Sequence, residues 1–190
     1  MTESLVRGDH VSCSRVGGAM RRESSRLRQQ ALSLAEALSE ISSSAGPGAH
    51  GPPEVFEATA SVAMTLRAMQ ATADDLDEAG AALQRYATDL AEGHELGRRA
   101  ERRVAAAGLL LEGTRVTEPW GLASAREAER RRAQVPDVQS RIDLATAHVG
   151  RARGRLQREM TRLTDRFSAH SRNVQSARRA PLPGRRSGPT

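Results

Sequence analysis

The sequence predicts an all-α protein, an elongated antiparallel helical hairpin or bundle with coiled-coil-like packing. Between residues 54 and 112 an aliphatic residue returns every seven positions, which is the signature of a long helix packed along its length on other helices. Aromatic residues make up only 2% of the 190 residues, fewer than a compact core normally uses. Segments rich in Gly and Pro divide the chain into one shorter and two long helical stretches, without a convincing strand.

The N-terminal part is predicted to be a disordered arm followed by the shorter helix. Residues 1–18 mix Gly, Ser and charged residues with few apolar ones, a composition typical of disorder. Residues 19–44 form the helix, and the segment 45–53, Ala-Gly-Pro-Gly-Ala-His-Gly-Pro-Pro, ends it as a loop. The apolar residues that recur every seven positions in this helix are Met20, Leu27, Leu34 and Ile41.

The first long helix is predicted over residues 54–112, and a turn over 113–122 follows it. Gly93 and Gly97 lie inside the helix, where each glycine costs ~1 kcal/mol relative to Ala. Its seven-residue series is Val55, Val62, Met69, Leu76, Leu83, Leu90, Gly97, Val104 and Leu111.

The second long helix is predicted over residues 125–178, and residues 180–190 form a disordered tail. Ser124 and Glu127 make a capping box at its start. Pro136 is expected to kink or briefly break it, because proline removes a backbone hydrogen bond. Its apolar stripe is Val135, Val138, Ile142, Ala145, Val149, Ala152, Leu156, Met160, Leu163, Phe167, His170 and Val174.

A short connection favours antiparallel packing of the two long helices. Folding the chain about residue 117 brings Leu83 to Val149 and Ala152, and Leu90 to Ile142 and Ala145. Residues 36–95 carry a net charge of −9 and residues 98–190 one of +12, so the packed helices also complement each other in charge. In this register the acidic residues Asp74, Asp75, Asp77 and Glu78 lie beside Arg153, Arg155, Arg158 and Arg162.

Two features are candidates for binding a partner. In the same register a group of arginines from each long helix falls at one level, and together they form a basic collar. It is either a solvated surface or a docking surface for an acidic partner, a phosphate or an anionic membrane. Trp120 is expected at the tip of the hairpin, packed partly on Leu111 or Leu122, where it either caps the bundle or anchors a partner. The collar consists of Arg98, Arg99, Arg102, Arg103, Arg130, Arg131 and Arg132.

Residue types that carry chemistry are scattered, and we expect neither an enzyme nor a metal or cofactor site. The five histidines do not pair at ligand spacing, and Cys13 is the only cysteine. Neither a phosphate-binding glycine loop nor a nucleophile elbow is present. The 29 basic residues are all arginine, which is typical of a high-GC bacterial genome. We do not expect nucleic acid as a partner, because the acidic segment neutralises much of the arginine surplus and aromatic residues do not interleave with the arginines.

The segment Leu83-Gln-Arg-Tyr-Ala-Thr-Asp-Leu-Ala-Glu92 resembles the second helix of WXG-type helical-hairpin domains of actinobacterial type VII secretion. These domains often carry Leu-x-x-Tyr-Ala-x-x-Leu-Ala there, and the Gly17-Gly-Ala-Met-Arg opening is also similar. The chain departs from the family in two places. The Trp-x-Gly of the first turn is absent, and Tyr86 is followed three residues later by Asp89, whereas the export motif Tyr-x-x-x-Asp/Glu places its acid four residues on.

The resemblance implies a non-enzymatic interaction protein, a WXG-like partner or component associated with type VII secretion. Its partner would be another helical protein or a second copy of this chain. The alternatives are an intracellular coiled-coil scaffold unrelated to secretion and a non-specific nucleic-acid-associated protein. We expect a cytoplasmic protein, or one exported without a cleavable signal, because the N-terminus lacks an apolar core region. A transmembrane segment is not expected, and peripheral contact with a membrane stays open.

Overall fold

The computed structural model describes residues 5–44, 53–121 and 124–179. It is an all-α helical bundle, as the sequence predicts, with helices α1 (His10–Ser44), α2 (Pro53–Ala106) and α3 (Ala125–Arg179). A small antiparallel hairpin of β1 (Leu110–Glu112) and β2 (Arg115–Thr117) lies between α2 and α3. Residues 1–4 of the predicted arm, the loop residues 45–52 and the predicted tail 180–190 lie outside the described residues.

The chain divides into two compact units. Unit 1 contains the described residues of Met1–Gly18 and Gly80–Glu159, and unit 2 contains those of Ala19–Ala79 and Met160–Thr190. Each unit therefore takes a stretch from all three helices.

Helix α1 begins at His10, nine residues earlier than predicted, so the prediction of a disordered arm was wrong for residues 10–18. The sequence contains the reason. Asp9 caps the helix, because its Oδ1 accepts hydrogen bonds from the backbone N–H groups of Val11 and Ser12 at 2.9 and 3.3 Å. The residues before the cap also pack against the α2 part of unit 1: Val6 is buried in a cluster with Leu90, and Leu5 N donates to Glu101 Oε1 at 3.0 Å.

Small residues bring α1 and α2 close together. The most buried positions of α1 are Gly17, Ser24 and Ala31, seven residues apart, whereas the predicted stripe residue Ile41 is exposed. In unit 1 a Cβ added to Gly17 would lie 2.7 Å from the carbonyl oxygen of Gly80. The two backbones are therefore in direct contact, which a larger side chain would prevent.

Helix α2 ends at Ala106 and not near residue 112. Gly108 adopts the left-handed conformation, with φ at 64°. Its N–H donates to Ala105 O, and Leu109 N donates to Val104 O, both at 3.0 Å. These two bonds form a Schellman motif, which stops a helix and turns the chain. Val104 and Leu109 then pack in the same core cluster of unit 1.

The early end of α2 changes the predicted register of unit 1. Helices α2 and α3 are antiparallel there, as predicted, but Leu90 packs against Val149 and not between Ile142 and Ala145. The shift amounts to about one heptad. It arises because the first turns of α3 lie beside the segment after α2 and not beside α2 itself: Gly108 approaches Arg131.

Most residues of the predicted apolar stripe of α3 are buried or partly buried. The helix continues through Pro136. Ser124 caps it, since its Oγ accepts a hydrogen bond from Glu127 N at 3.3 Å, as the capping box predicts. Phe167 is an exception, because half of its surface is exposed. The stripe residues that are buried are Val138, Ile142, Ala145, Val149, Ala152 and Leu163.

Unit 2 contains a network of ion pairs around a buried carboxylate. The Asp75 residue is only 7% exposed, and its Oδ1 accepts a hydrogen bond from Arg166 Nε at 2.5 Å. Arg166 also donates to Glu78 Oε2 at 2.5 Å, and Arg162 pairs with the same carboxylate. That last pair is the only one of the predicted α2–α3 pairs found among the described residues.

The other two acids of this segment pair with α1 and not with α3. Asp74 accepts a hydrogen bond from Arg28 at 2.9 Å, and Asp77 accepts one from Arg21 at 3.2 Å. Arg155, which was expected beside these acids, binds Asp89 in unit 1 at 2.8 Å. The predicted charge complementarity of α2 and α3 is thus real, but most of its predicted partners were wrong because they depended on the register.

Candidate partner-binding site

The candidate site is the end of unit 1 where α2 passes into α3. The hairpin there pairs Leu110 with Thr117 and Leu111 with Val116. Val116 is buried in the core cluster together with Val138 and Ile142. An apolar residue that points inward from β2 therefore fixes the hairpin on α3.

Gln139 locks the hairpin in place. Its side-chain Oε1 accepts a hydrogen bond from Val116 N at 2.8 Å, and its Nε2 donates to Thr114 O at 2.9 Å. Nε2 also donates to Asp143 Oδ1 at 2.8 Å. One amide side chain on α3 thus satisfies both a donor and an acceptor of the hairpin backbone, which holds the connection rigidly.

Trp120 follows this rigid hairpin and is 100% exposed. The prediction that it packs partly on Leu111 was wrong, and Leu122 lies outside the described residues. Leu111 packs instead against the core cluster of unit 1, and the chain has already left the core when it reaches Trp120. Leu110, on strand β1 of the same hairpin, is also exposed. An indole without any packing is unusual, because tryptophan normally buries most of its large apolar surface.

The first group of collar arginines gathers around one carboxylate on α2. Arg98 donates to Glu95 Oε2 through Nε and Nη2, at 3.2 and 2.7 Å. Arg99 Nε and Arg102 Nη2 donate to Oε1, at 2.9 and 3.5 Å. Hydrogen bonds from Arg98 and Arg99 lower the pKa of Glu95 to about 2. Glutamate with arginines three, four and seven residues later is a helical pattern that the sequence analysis missed.

The second group lies on α3 and has its own acidic partners. Arg131 Nη2 donates to Glu127 Oε1 at 2.6 Å, and Arg132 Nε donates to Glu118 Oε1 at 3.4 Å. Within the described chain, Arg103 and Arg130 have no ion pair. No hydrogen bond or ion pair links the two groups among the described residues, so the structure does not support one continuous collar. The reason is the register shift, which places the second group beside the α2–α3 connection.

A groove between α2 and α3 in unit 1 was not predicted. Its volume is about 340 Å³, and Ala82, Tyr86, Ala152 and Leu156 contribute apolar walls. Two cross-helix ion pairs flank it, Arg85 with Glu159 and Asp89 with Arg155. Their spacing of four residues on each helix is visible in the sequence, but the pairing depends on the register.

Comparison with known proteins adds no assignment: no family model matches the chain, and neither curated proteins nor solved structures show a significant match. Among the described residues, no group of three or more His, Cys, Asp or Glu side chains is placed so that it could hold a metal ion. Nor does a helix among these residues have the length and apolar character needed to span a membrane.

Proposed function

We propose that this chain is a non-enzymatic helical interaction protein that binds another helical protein through Trp120. The observation that carries the proposal is the full exposure of Trp120 beside a hairpin that Gln139 fixes to α3. Tryptophan is the residue type most enriched at interface hot spots. A rigid support lowers the entropic cost of binding, because little has to be ordered when the partner arrives.

The finer proposal is that the partner belongs to a type VII secretion system, as the resemblance to WXG-type hairpins implies. The support is the segment around Tyr86 together with the all-α frame. The direct test is co-purification with helical proteins encoded beside this chain's gene, with and without the secretion ATPase. Binding to a secretion component supports the finer proposal; binding only to a cytosolic helical protein favours the scaffold alternative.

The anchor role of Trp120 is tested with the same partner. Because Trp120 is the only tryptophan, its fluorescence reports on this position alone. We expect a blue shift when the partner binds. The Trp120→Ala variant should bind about 30-fold more weakly, which corresponds to ~2 kcal/mol. As a matched control, Leu144→Ala, at an exposed position of α3, should leave the affinity for the partner unchanged. An unshifted emission at saturation, with normal affinity of Trp120→Ala, would refute the anchor.

The nucleic-acid alternative is tested with Arg130, Arg131 and Arg132 changed together to Ala. The ion pairs of Arg131 with Glu127 and Arg132 with Glu118 reduce the charge available to phosphates. We therefore expect weak, sequence-independent DNA binding that disappears near physiological salt, since each neutralised phosphate adds ~0.9 to the salt slope. Tight binding to a preferred sequence that survives this salt concentration would promote the alternative.

A further inference from the structure

The arginine group around Glu95 has more positive charge than its own carboxylate can neutralise. Three guanidinium groups, those of Arg98, Arg99 and Arg102, share this single acid. The only other acid between residues 95 and 103 is Glu101, which Arg103 offsets in charge. Glutamate and arginine are both ionised throughout the physiological range, so three arginines and one glutamate give the group a net charge of about +2.

The guanidinium groups are both ordered and accessible. Their hydrogen bonds to Glu95 hold them on one face of α2, while the side chains of Arg98, Arg99 and Arg102 stay 58%, 66% and 64% exposed. An arginine has five N–H donors, and Arg99 and Arg102 each use one of them on Glu95. Several donors on adjacent side chains therefore point to solvent, already gathered for an anionic ligand.

The geometry points to an acidic segment of a protein as the ligand, and we propose that the Glu95 arginine group binds neighbouring carboxylates of such a segment. These guanidinium groups hold a carboxylate already, so the structure shows one ligand chemistry that they accept. Single-stranded nucleic acid is a poorer fit, because its binding usually adds aromatic side chains on which bases stack, and residues 95–106 contain none. The inference deepens the proposed function, on which it rests, by giving the partner an acidic character.

The test uses the full chain and a peptide of about six glutamates, titrated at ionic strengths of about 0.02 and 0.15 M. We expect binding at the lower ionic strength and about tenfold weaker binding when Arg99 and Arg102 are both changed to Ala. The matched control changes Arg151 and Arg158 to Ala. These arginines are exposed, lie in the same unit and have no ion pair among the described residues, so the charge loss is identical. Less than about a twofold effect is expected for them.

Glu95→Gln provides a second, independent variant. Removing the internal carboxylate raises the net charge of the group by one, so the affinity for the peptide should fall more steeply with salt. Equal losses in the two double variants, an unchanged salt dependence in Glu95→Gln, or no peptide binding at low salt would each overturn the inference. If single-stranded DNA of equal charge binds more tightly than the glutamate peptide, the inference is overturned in favour of nucleic acid.

The peptide experiment can fail separately from the proposed function. If the peptide does not bind but Trp120→Ala still weakens binding of a helical partner, only the acidic character of the partner is refuted. If the peptide binds through the arginine group but Trp120 has no role, the anchor is refuted and the arginine site remains.

Discussion

The two units use the same three helices but have different interiors. Unit 1 encloses branched aliphatic side chains, and its clusters include Leu90, Val104, Val138 and Ile142. Among the described residues, the buried hydrophobic residues of unit 2 are Ala31, Ala73, Ala79 and Leu163. Its other buried residues are polar, Ser24 and Asp75.

This difference predicts unequal stability along the helices. Burying apolar surface contributes roughly 25 cal/mol per Å², so a single aliphatic side chain in unit 1 contributes more than most exposed ion pairs, which yield ~0–1 kcal/mol each. Unit 2 relies on ion pairs around the partly exposed Glu78 and the buried Asp75. A continuous helix such as α2 can thus be firmly anchored after residue 80 and more weakly anchored before it.

The largest effect is expected in unit 1. Ile142 is 0% exposed, so Ile142→Ala should lower the free energy of unfolding by ~4 kcal/mol through lost apolar burial and the remaining cavity. Urea unfolding followed by circular dichroism measures this. Leu144→Ala, two residues along α3 at an exposed position, is the control and should change stability by less than ~0.5 kcal/mol. Similar values for both variants would show that this cluster is not the core.

The next effect concerns the charged interior of unit 2. Arg166→Ala removes the hydrogen-bond partner of Asp75, whose side chain is only 9% exposed. Losing this hydrogen bond, with only His170 Nδ1 left beside the carboxylate at 3.7 Å, should cost ~2 kcal/mol, measured by the same unfolding assay. Arg67 on α2 is exposed and has no ion pair in the described part of the chain, and Arg67→Ala should be neutral. Equal stability of Arg166→Ala and the native chain would mean that the charge network does not hold unit 2.

A smaller effect of opposite sign is expected at Ser24. Its Oγ is buried and has no hydrogen-bond partner among the described residues. Replacing it with Ala removes an unsatisfied hydroxyl and raises helix propensity, so Ser24→Ala should stabilise the protein by ~1 kcal/mol. Thermal unfolding measures the change. A clear loss of stability would contradict an unsatisfied hydroxyl at this position.

The smallest expected effect is a pH dependence. The hydrogen bond from Arg166 lowers the pKa of Glu78 below its usual 4.5. The stabilisation is therefore fully present above pH 4.5 and is lost as the pH falls through the lower folded-state pKa. Carboxyl-carbon NMR should show Glu78 titrating below 4.5 in the native chain and closer to 4.5 in Arg166→Ala. An ordinary native pKa would contradict the observed ion pair.

The sequence predicts the helical elements well because their signals are local. Apolar residues recur every three or four positions along α3, which predicts that Val138, Ile142 and Ala145 face the interior. All three are buried. The register between α2 and α3 could not be predicted in this way, since their two apolar series match each other at several offsets. It depends on the Schellman motif at Gly108, which ends α2 although Leu111 continues the heptad pattern.

The candidate site could be predicted only in part. Trp120 was found by its rarity, but its exposure depends on where the hairpin leaves the core. The sequence also identifies the two groups of arginines. The predicted register wrongly places Arg98 opposite Arg130. Ion pairs between elements follow from the register, so one shift reassigns them together. The spacing of Arg98 and Arg99 from Glu95 is local, and it was available in the sequence.

The central claim, that apolar burial holds unit 1 and charge holds unit 2, is tested most directly by native-state hydrogen exchange along α2. Peptides from residues 82–104 should exchange slowly at both low and high salt. Peptides from residues 62–78 should exchange faster, and faster still at about 1 M salt, where the Debye length falls to ~3 Å. Equal protection of the two segments, or salt-independent exchange in residues 62–78, would contradict the claim.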